Sequence, residues 1–207
     1  MPDFEFPASV EALKEPNGLL AMGGDLSPER LLLAYSRGIF PWFSSDEPIL
    51  WWAPDPRAIL EPSEFIVSKS FGKSLKKRGY RLSLNKEFSS VVRACAAPRP
   101  SQEGTWILPS MISAYSALHR LGYAHSIEVW CEDNLIGGLY GVCLGKAFFG
   151  ESMFSVKTDA SKTALASLAY IGQMGYFKLI DCQVESQHLT SMGARSLGRA
   201  VFEHKLE

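Results

Sequence analysis

The stretch "SIEVWCEDNLIGGLYGVCLG", Ser126 to Gly145, constrains the fold more than any other. In "SIEVWCE" the side chains alternate with period two. Ile127, Val129 and Cys131 face one way, and Glu128 and Trp130 face the other. "EDN" is a turn, and "LIGGLYGVCLG" returns as a second strand, so the spacing predicts an antiparallel hairpin. Gly137, Gly138, Gly141 and Gly145 remove side chains from the returning strand. Glycine inside a strand marks a bulge or a close approach by a ligand or another backbone. The strand therefore reads as one that leaves space beside it.

The segments around this hairpin are mostly helical. "GGDLSPERLLLAYSRG" predicts a helix capped by Ser27, with Pro28 at its first position, Glu29 in its first turn and Gly38 at its end. A second helix is expected from about Pro109 to Leu121, ended by Gly122. A third lies in "TDASKTALASLAYIGQMG", capped by Thr158, Asp159 or Ser161 and ended by Gly175. "GYRLSL" and "KLIDCQV" read as strands, and "SQHLTSMGA" as the start of a last helix. Helices packed on a mainly antiparallel sheet make an α+β fold.

The 207 residues suit one large domain with at most a small appendage. The first 60 residues, rich in Pro, Gly and Trp, read as a small N-terminal domain (1–60), and residues 61–207 as the larger one. Trp42, Trp51 and Trp52, broken by prolines, form either a rigid aromatic surface or a packed seam. Cys95, Cys131, Cys143 and Cys182 show no C-x-x-C pair and read as reduced thiols, and the histidines lack zinc-ligand spacing, so no metal is expected. The N-terminus has no apolar signal-peptide core and no apolar run is long enough for a membrane helix, so a cytoplasmic location is expected.

A net charge of −1 excludes a globally basic nucleic-acid binder but leaves room for a local patch. Ser68 to Lys86 supplies one: Lys69, Lys73, Lys76, Lys77, Arg78, Arg81 and Lys86, with no acid among them. Lys73, Lys76 and Lys77 share a face if 70–78 is helical. The run is a solvated face or a site for a polyanion.

In "LIDCQVE" alternation puts Asp181, Gln183 and Glu185 on one face and Ile180, Cys182 and Val184 on the other. Polar groups buried without partners cost roughly 1–3 kcal/mol each. That face must meet water, a polar network or a ligand, as either a wet edge strand or a site. Glu151, in "GESMFS", follows a strand expected to end at Phe148–Gly150, and this strand could neighbour the one carrying Asp181 and Gln183. No Ser–His–Asp order, P-loop or dinucleotide fingerprint is present.

The strings "EPNGLLAMGGDLSPERLLLAYSRGIFPWF", "PILWWAPDPRAIL", "GTWI", "AHSIEVW", "LIGGLYGV", "FFGESMFS", "ASKTAL" and "LIDCQV" together resemble the leucyl/phenylalanyl-tRNA–protein transferase family, from about Phe6 to Gly193. The resemblance implies a GNAT-like acyltransferase domain after the small N-terminal one. It implies transfer of Leu or Phe, and less readily Met, from aminoacyl-tRNA to the N-terminal Arg or Lys of a protein, marking it for N-degron proteolysis, with no cofactor. It places the catalytic pair at Asp181 and Gln183, with Glu151 at the same site. It draws a side-chain pocket from Leu139, Phe148, Leu168 and Ile180, with Ser155 nearby, and sets Trp42 and Trp106 against the 3′-terminal adenosine. Leu at 139 and 168 departs from larger or more flexible residues also found in the family, which bears on the preference between Leu and Phe.

With that donor, Lys69, Lys73, Lys76, Lys77 and Arg78 become candidates for contact with the tRNA backbone. Gln183, too weak a base to hold a proton, is expected to orient the amine through its carbonyl oxygen. Asp181 is expected to polarise Gln183 or to take the proton through it or through water. Glu151 would orient the incoming ammonium or the ribose, and an acidic rim near Glu151 and Glu185 would suit a cationic acceptor. A coenzyme A-dependent acetyltransferase would need a Q/R-x-x-G-x-G/A loop that "SVKTDASK" lacks. An aminoacyl-tRNA transferase for cell-wall peptides is a further alternative by fold. A non-catalytic RNA-binding module would explain the tryptophans and basic run but not Glu151, Asp181 and Gln183 together.

Overall fold

The computed structural model describes residues 5–97 and 107–207. The N-terminal part holds β1 (Leu19–Met22), α1 (Pro28–Ser36), β2 (Phe40–Pro41) and β3 (Leu50–Trp52). Then follow β4 (Arg57–Leu60), α2 (Lys69–Arg78), β5 (Arg81–Leu84), α3 (Phe88–Ala96) and α4 (Pro109–Arg120). The remainder is β6 (Ala124–Cys131), β7 (Asn134–Leu144), β8 (Ala147–Ser155), α5 (Ala160–Gln173), β9 (Leu179–Gln183), α6 (Gln187–Thr190), β10 (Arg195–Leu197) and α7 (Arg199–Leu206).

The strands form a three-stranded sheet, β1-β3-β2, and a seven-stranded sheet, β10-β4-β9-β8-β7-β6-β5. All pairs in the larger sheet are antiparallel except β8–β9. A parallel pair needs a crossover of a dozen or more residues. α5, with 14, supplies it. The α+β expectation and the β6–β7 hairpin hold. β4 lies before the expected division at residue 60, yet it pairs inside the larger sheet.

Alternation splits the apolar residues between two cores. Ile59, Tyr140, Phe149 and Leu179 face α1, α3, α4 and the N-terminal aromatics. Their chain neighbours Leu60, Leu139, Phe148 and Ile180 face α5. Glu128 points into the first core and is buried, but not as a site. Its carboxylate accepts from the Ser83 and Ser126 hydroxyls (2.5 Å each) and from the first N–H groups before α3, Lys86 and Glu87 (3.4 and 3.3 Å).

Ser27 caps α1, accepting from the Arg30 N–H at 3.5 Å. At α5 the cap position falls to Asp159, one of the three candidates, but without a side-chain cap bond. Its φ is positive, and its carboxylate accepts from the Ser74 hydroxyl (2.6 Å) rather than from the helix. "SQHLTSMGA" contains only the single turn α6; the last helix is α7. The missing side chains of β7 are not vacant space. A Cβ at Gly137 would lie 2.5 Å from the Cβ of Ala160, and one at Gly141 would lie 2.5 Å from the Phe148 ring. The glycines let α5 and β8 approach closely, the second of the two uses glycine has in a strand.

Candidate active site

Two bulges build the site. Between β7 and β8, Tyr140 pairs with Ser152 and Gly141 with Gly150, leaving Glu151 as the extra residue. Parity along β8 flips there. Phe148 and Met153, an odd number of positions apart, pack on the same core, while Phe149 and Phe154 pack on the other. Glu151 is thus in mid-strand, not at a strand end as its sequence neighbours suggest. Between β4 and β9, Ala58 pairs with Gln183 and Ile59 with Asp181, leaving Cys182 as the extra residue. A bulge bends the chain and re-aims side chains, and bulges are enriched beside active sites. Gln183 ends β9 in the left-handed region, at φ 63°.

Of the two readings of this strand, a wet edge or a site, the wet edge is excluded, because β9 lies between β4 and β8. Simple alternation fails with it. Glu185 lies beyond the strand, is exposed, and accepts from the Ser196 hydroxyl at 2.9 Å. Asp181 is fully buried. Arg57 meets it bidentately, Nε to Oδ1 at 2.8 Å and an Nη to Oδ2 at 2.6 Å. The guanidinium lies 4.7 Å from the centroids of both Phe40 and Phe202. Phe202 belongs to α7, and a Cβ at Gly38, where φ is 71°, would strike its ring at 2.7 Å. Asp181 touches Gln183 through the backbone: its Oδ1 accepts the Gln183 N–H at 2.9 Å, which fixes the left-handed turn.

Glu151 is also buried, and it meets the side chain of Gln183. The Tyr35 hydroxyl lies 2.7 Å from Oε1 of Glu151 and the Tyr115 hydroxyl 2.7 Å from its Oε2, and the Gln183 side-chain amide donates to Oε1 at 3.1 Å. Burial, reinforced by the Asp181 charge and opposed by these hydrogen bonds, raises the Glu151 carboxyl to about 7. Burial and the neighbouring Glu151 push the Tyr35 and Tyr115 hydroxyls well above the ordinary tyrosine value, so both phenols stay protonated.

Next to this polar cluster is a mainly apolar pocket of about 120 Å³. It brings together the expected Leu139, Phe148, Leu168 and Ile180, with Glu151, Asp181 and Gln183 among its other lining residues. Ser155 lies elsewhere, at the end of β8. There its hydroxyl donates to the Lys157 carbonyl (2.8 Å) and accepts from the Ser161 N–H (3.3 Å). Trp42 does not line the pocket. It is half-exposed, with its ring 5.6 Å from that of Trp52. Trp106 lies outside the described residues.

The basic run forms α2 and the start of β5. Lys73, Lys77 and Arg78 line a surface cavity together with Lys157, which sequence reasoning missed, while Lys69 and Lys76 lie outside it. Sequence reasoning also missed Arg57, Tyr35 and Tyr115. Their signal is only the demand of a buried carboxylate for donors, which no local pattern expresses. Among the described residues no cluster of His, Cys, Asp and Glu could hold a metal, and no helix is long and apolar enough to cross a membrane.

The family model for leucyl/phenylalanyl-tRNA protein transferase matches residues 59–207, and that for its N-terminal domain matches residues 24–55. A relative from Nitrosomonas europaea, named leucyl/phenylalanyl-tRNA–protein transferase, is 57% identical over 99% of this chain and 86% of its own length. One of the same name from Cellvibrio japonicus is 56% identical over 98% of this chain and 86% of its own length. Among solved structures, a GCN5-related N-acetyltransferase from Kribbella flavida is more loosely similar, with a TM-score of 0.39 and 10% identity over 81% of this chain and 60% of that one. By the match of its larger part to the family model and its identity to these relatives, the chain belongs to the leucyl/phenylalanyl-tRNA–protein transferase family.

Proposed function

We propose that the protein moves Leu or Phe, and less readily Met, from aminoacyl-tRNA to the N-terminal Arg or Lys of an acceptor protein, marking it for N-degron proteolysis. The observation that carries this reading is the apolar pocket with Gln183 pinned at its polar end. An apolar cavity of ~150 Å³ holds a benzene ring. A pocket of about 120 Å³ is of that order, the scale of one hydrophobic side chain of the donor.

The reaction is aminolysis of an activated ester. The α-amine attacks the ester carbonyl carbon, a C–N bond forms, and the C–O bond to the ribose breaks. The amine gives up a proton and the ribose oxygen gains one. An α-amine with a pKa of about 7.7–8.0 is already roughly a tenth neutral near pH 7, so no strong base is needed. Holding both substrates in line supplies much of the barrier reduction. One N–H of the Gln183 amide donates to Glu151, and its carbonyl oxygen is placed to accept from the amine. Asp181, neutralised by Arg57, serves as a positioning residue that holds the Gln183 backbone rather than as a base.

The donor's 3′-terminal adenosine would stack on Trp42, with Trp106 as its partner. Stacking is worth about 1–3 kcal/mol per base. Lys73, Lys77, Arg78 and Lys157 offer the tRNA backbone a basic cavity, with Lys69 and Lys76 on the same helix. Glu185, exposed beyond Gln183, supplies negative charge for the cationic acceptor residue.

Radiolabelled Leu-tRNA incubated with a protein bearing N-terminal Arg, and separately with one bearing N-terminal Ala, tests the reading. Transfer to the first and little to the second is expected. No transfer to the Arg protein overturns it.

A further inference from the structure

Tyr35, Tyr115 and Glu151 close a triangle of buried oxygens. Tyr35 Oη is 2.7 Å from Oε1 of Glu151, Tyr115 Oη is 2.7 Å from Oε2, and the two phenol oxygens are 2.5 Å apart. Each of these three contacts needs a proton between its oxygens. A phenol brings one proton, and a carboxylate brings none. With Glu151 ionised, two protons would have to serve three contacts, and one pair of lone pairs would face each other at hydrogen-bond distance. One proton on the carboxyl completes the ring. Glu151 then donates from Oε1 to Tyr35, Tyr35 donates to Tyr115, and Tyr115 donates to Oε2. The Gln183 amide, 3.1 Å from Oε1, joins the ring from outside.

We propose that Glu151 is held as the neutral acid in the resting protein, with Tyr35 and Tyr115 as positioning residues whose hydroxyls share its proton and set the orientation of the Gln183 amide. The groups facing Glu151 agree. α1 presents Tyr35, α4 presents Tyr115, and β7 presents Tyr140. β9 presents Gln183 and Asp181, the latter backed by Arg57 from β4. None of these groups is a free cation that would draw Glu151 into its ionised form. Burial and the Asp181 charge both raise the Glu151 carboxyl.

The consequence for chemistry rests on the function proposed above. A second anion at this end of the pocket would stabilise the ammonium form of the acceptor, and the ammonium cannot attack. A neutral Glu151 orients Gln183 without that penalty.

The test uses the whole chain without substrate, so its outcome is independent of whether Leu or Phe is transferred. Isotope-edited infrared spectra of protein with labelled glutamate are recorded at about pH 6, where glutamates with an ordinary pKa near 4.3 are ionised. The expected result is a carboxylic-acid carbonyl band in wild type. It is lost in Glu151→Gln and moves to higher frequency in Tyr115→Phe, where one hydrogen bond to the carboxyl is gone. If Glu151→Gln does not fold, the Tyr115→Phe shift decides. Carboxylate bands alone in wild type, or an acid band unchanged in Tyr115→Phe, overturns the proposal.

Discussion

Arg57 and Asp181 form a two-pronged ion pair, at 2.8 and 2.6 Å, with the arginine 1% exposed and the aspartate 0%. The pair joins β4 to β9. Through Phe40 and Phe202 it also gathers the N-terminal sheet and the last helix around one charge. The Asp181 carboxylate, expected from sequence to polarise Gln183 or to take the proton, anchors the turn at Gln183 by accepting its backbone N–H.

Breaking this pair should destabilise the fold. Removing one partner of a buried pair leaves an uncompensated charge and costs about 3–5 kcal/mol. Asp181→Asn and Arg57→Met should each lower the stability by an amount in that range. The Arg57→Met/Asp181→Leu double variant should be more stable than either. Chemical denaturation measures all three, and wild-type stability in Asp181→Asn would show that the pair is not structural.

Glu151 makes stability pH-dependent with a definite sign. Its carboxyl is raised from 4.5 to about 7, so the folded state binds the proton more tightly than the unfolded state. This contribution is fully present below 4.5 and is lost as pH rises through about 7. A shift of this size corresponds to at most about 3 kcal/mol. Glu151→Gln should flatten that part of the stability–pH curve, as read by urea melts across the window.

Enlarging a side chain in the pocket should discriminate between donors. Leu168→Phe fills space shared by Leu139, Phe148 and Ile180. A misfit of one or two methylenes is worth about 1–3 kcal/mol, or roughly 10–200-fold in kcat/KM. Transfer of Phe should fall more than transfer of Leu, measured with the two aminoacyl-tRNAs in parallel. Equal losses would place the donor side chain elsewhere.

The basic cavity should show itself in salt dependence. Each phosphate that is no longer neutralised by a cationic side chain reduces the slope of log K against log salt by roughly 0.7–0.9. Lys73→Ala and Lys157→Ala should each weaken tRNA binding and flatten that slope, while turnover at saturating tRNA is kept. A slope unchanged in both would remove these residues from the interface.

Much of this was legible in sequence because alternation and punctuation are local. The hairpin from Ala124 to Leu144, the Ser27 cap and the strand carrying Asp181 all follow from neighbours along the chain. The residues Leu139, Phe148, Leu168 and Ile180 came from the family resemblance, and they line one pocket. What was not legible depends on pairing across the chain. The bulges at Glu151 and Cys182 exist only relative to β7 and β4, so period-two reading put Glu185 on the wrong footing and Glu151 at a strand end. Tyr35, Tyr115 and Arg57 reach their partners from 116, 36 and 124 positions away, beyond any spacing rule.

In the proposed reaction the Gln183 carbonyl oxygen, set by Glu151 and Asp181, orients the attacking amine. Single-turnover transfer from Leu-tRNA to an N-terminal Arg peptide by Gln183→Ala, at saturating donor, tests it most directly. Gln183→Ala should bind Leu-tRNA as wild type does and lose peptide-bond formation. Transfer at the wild-type rate would contradict it.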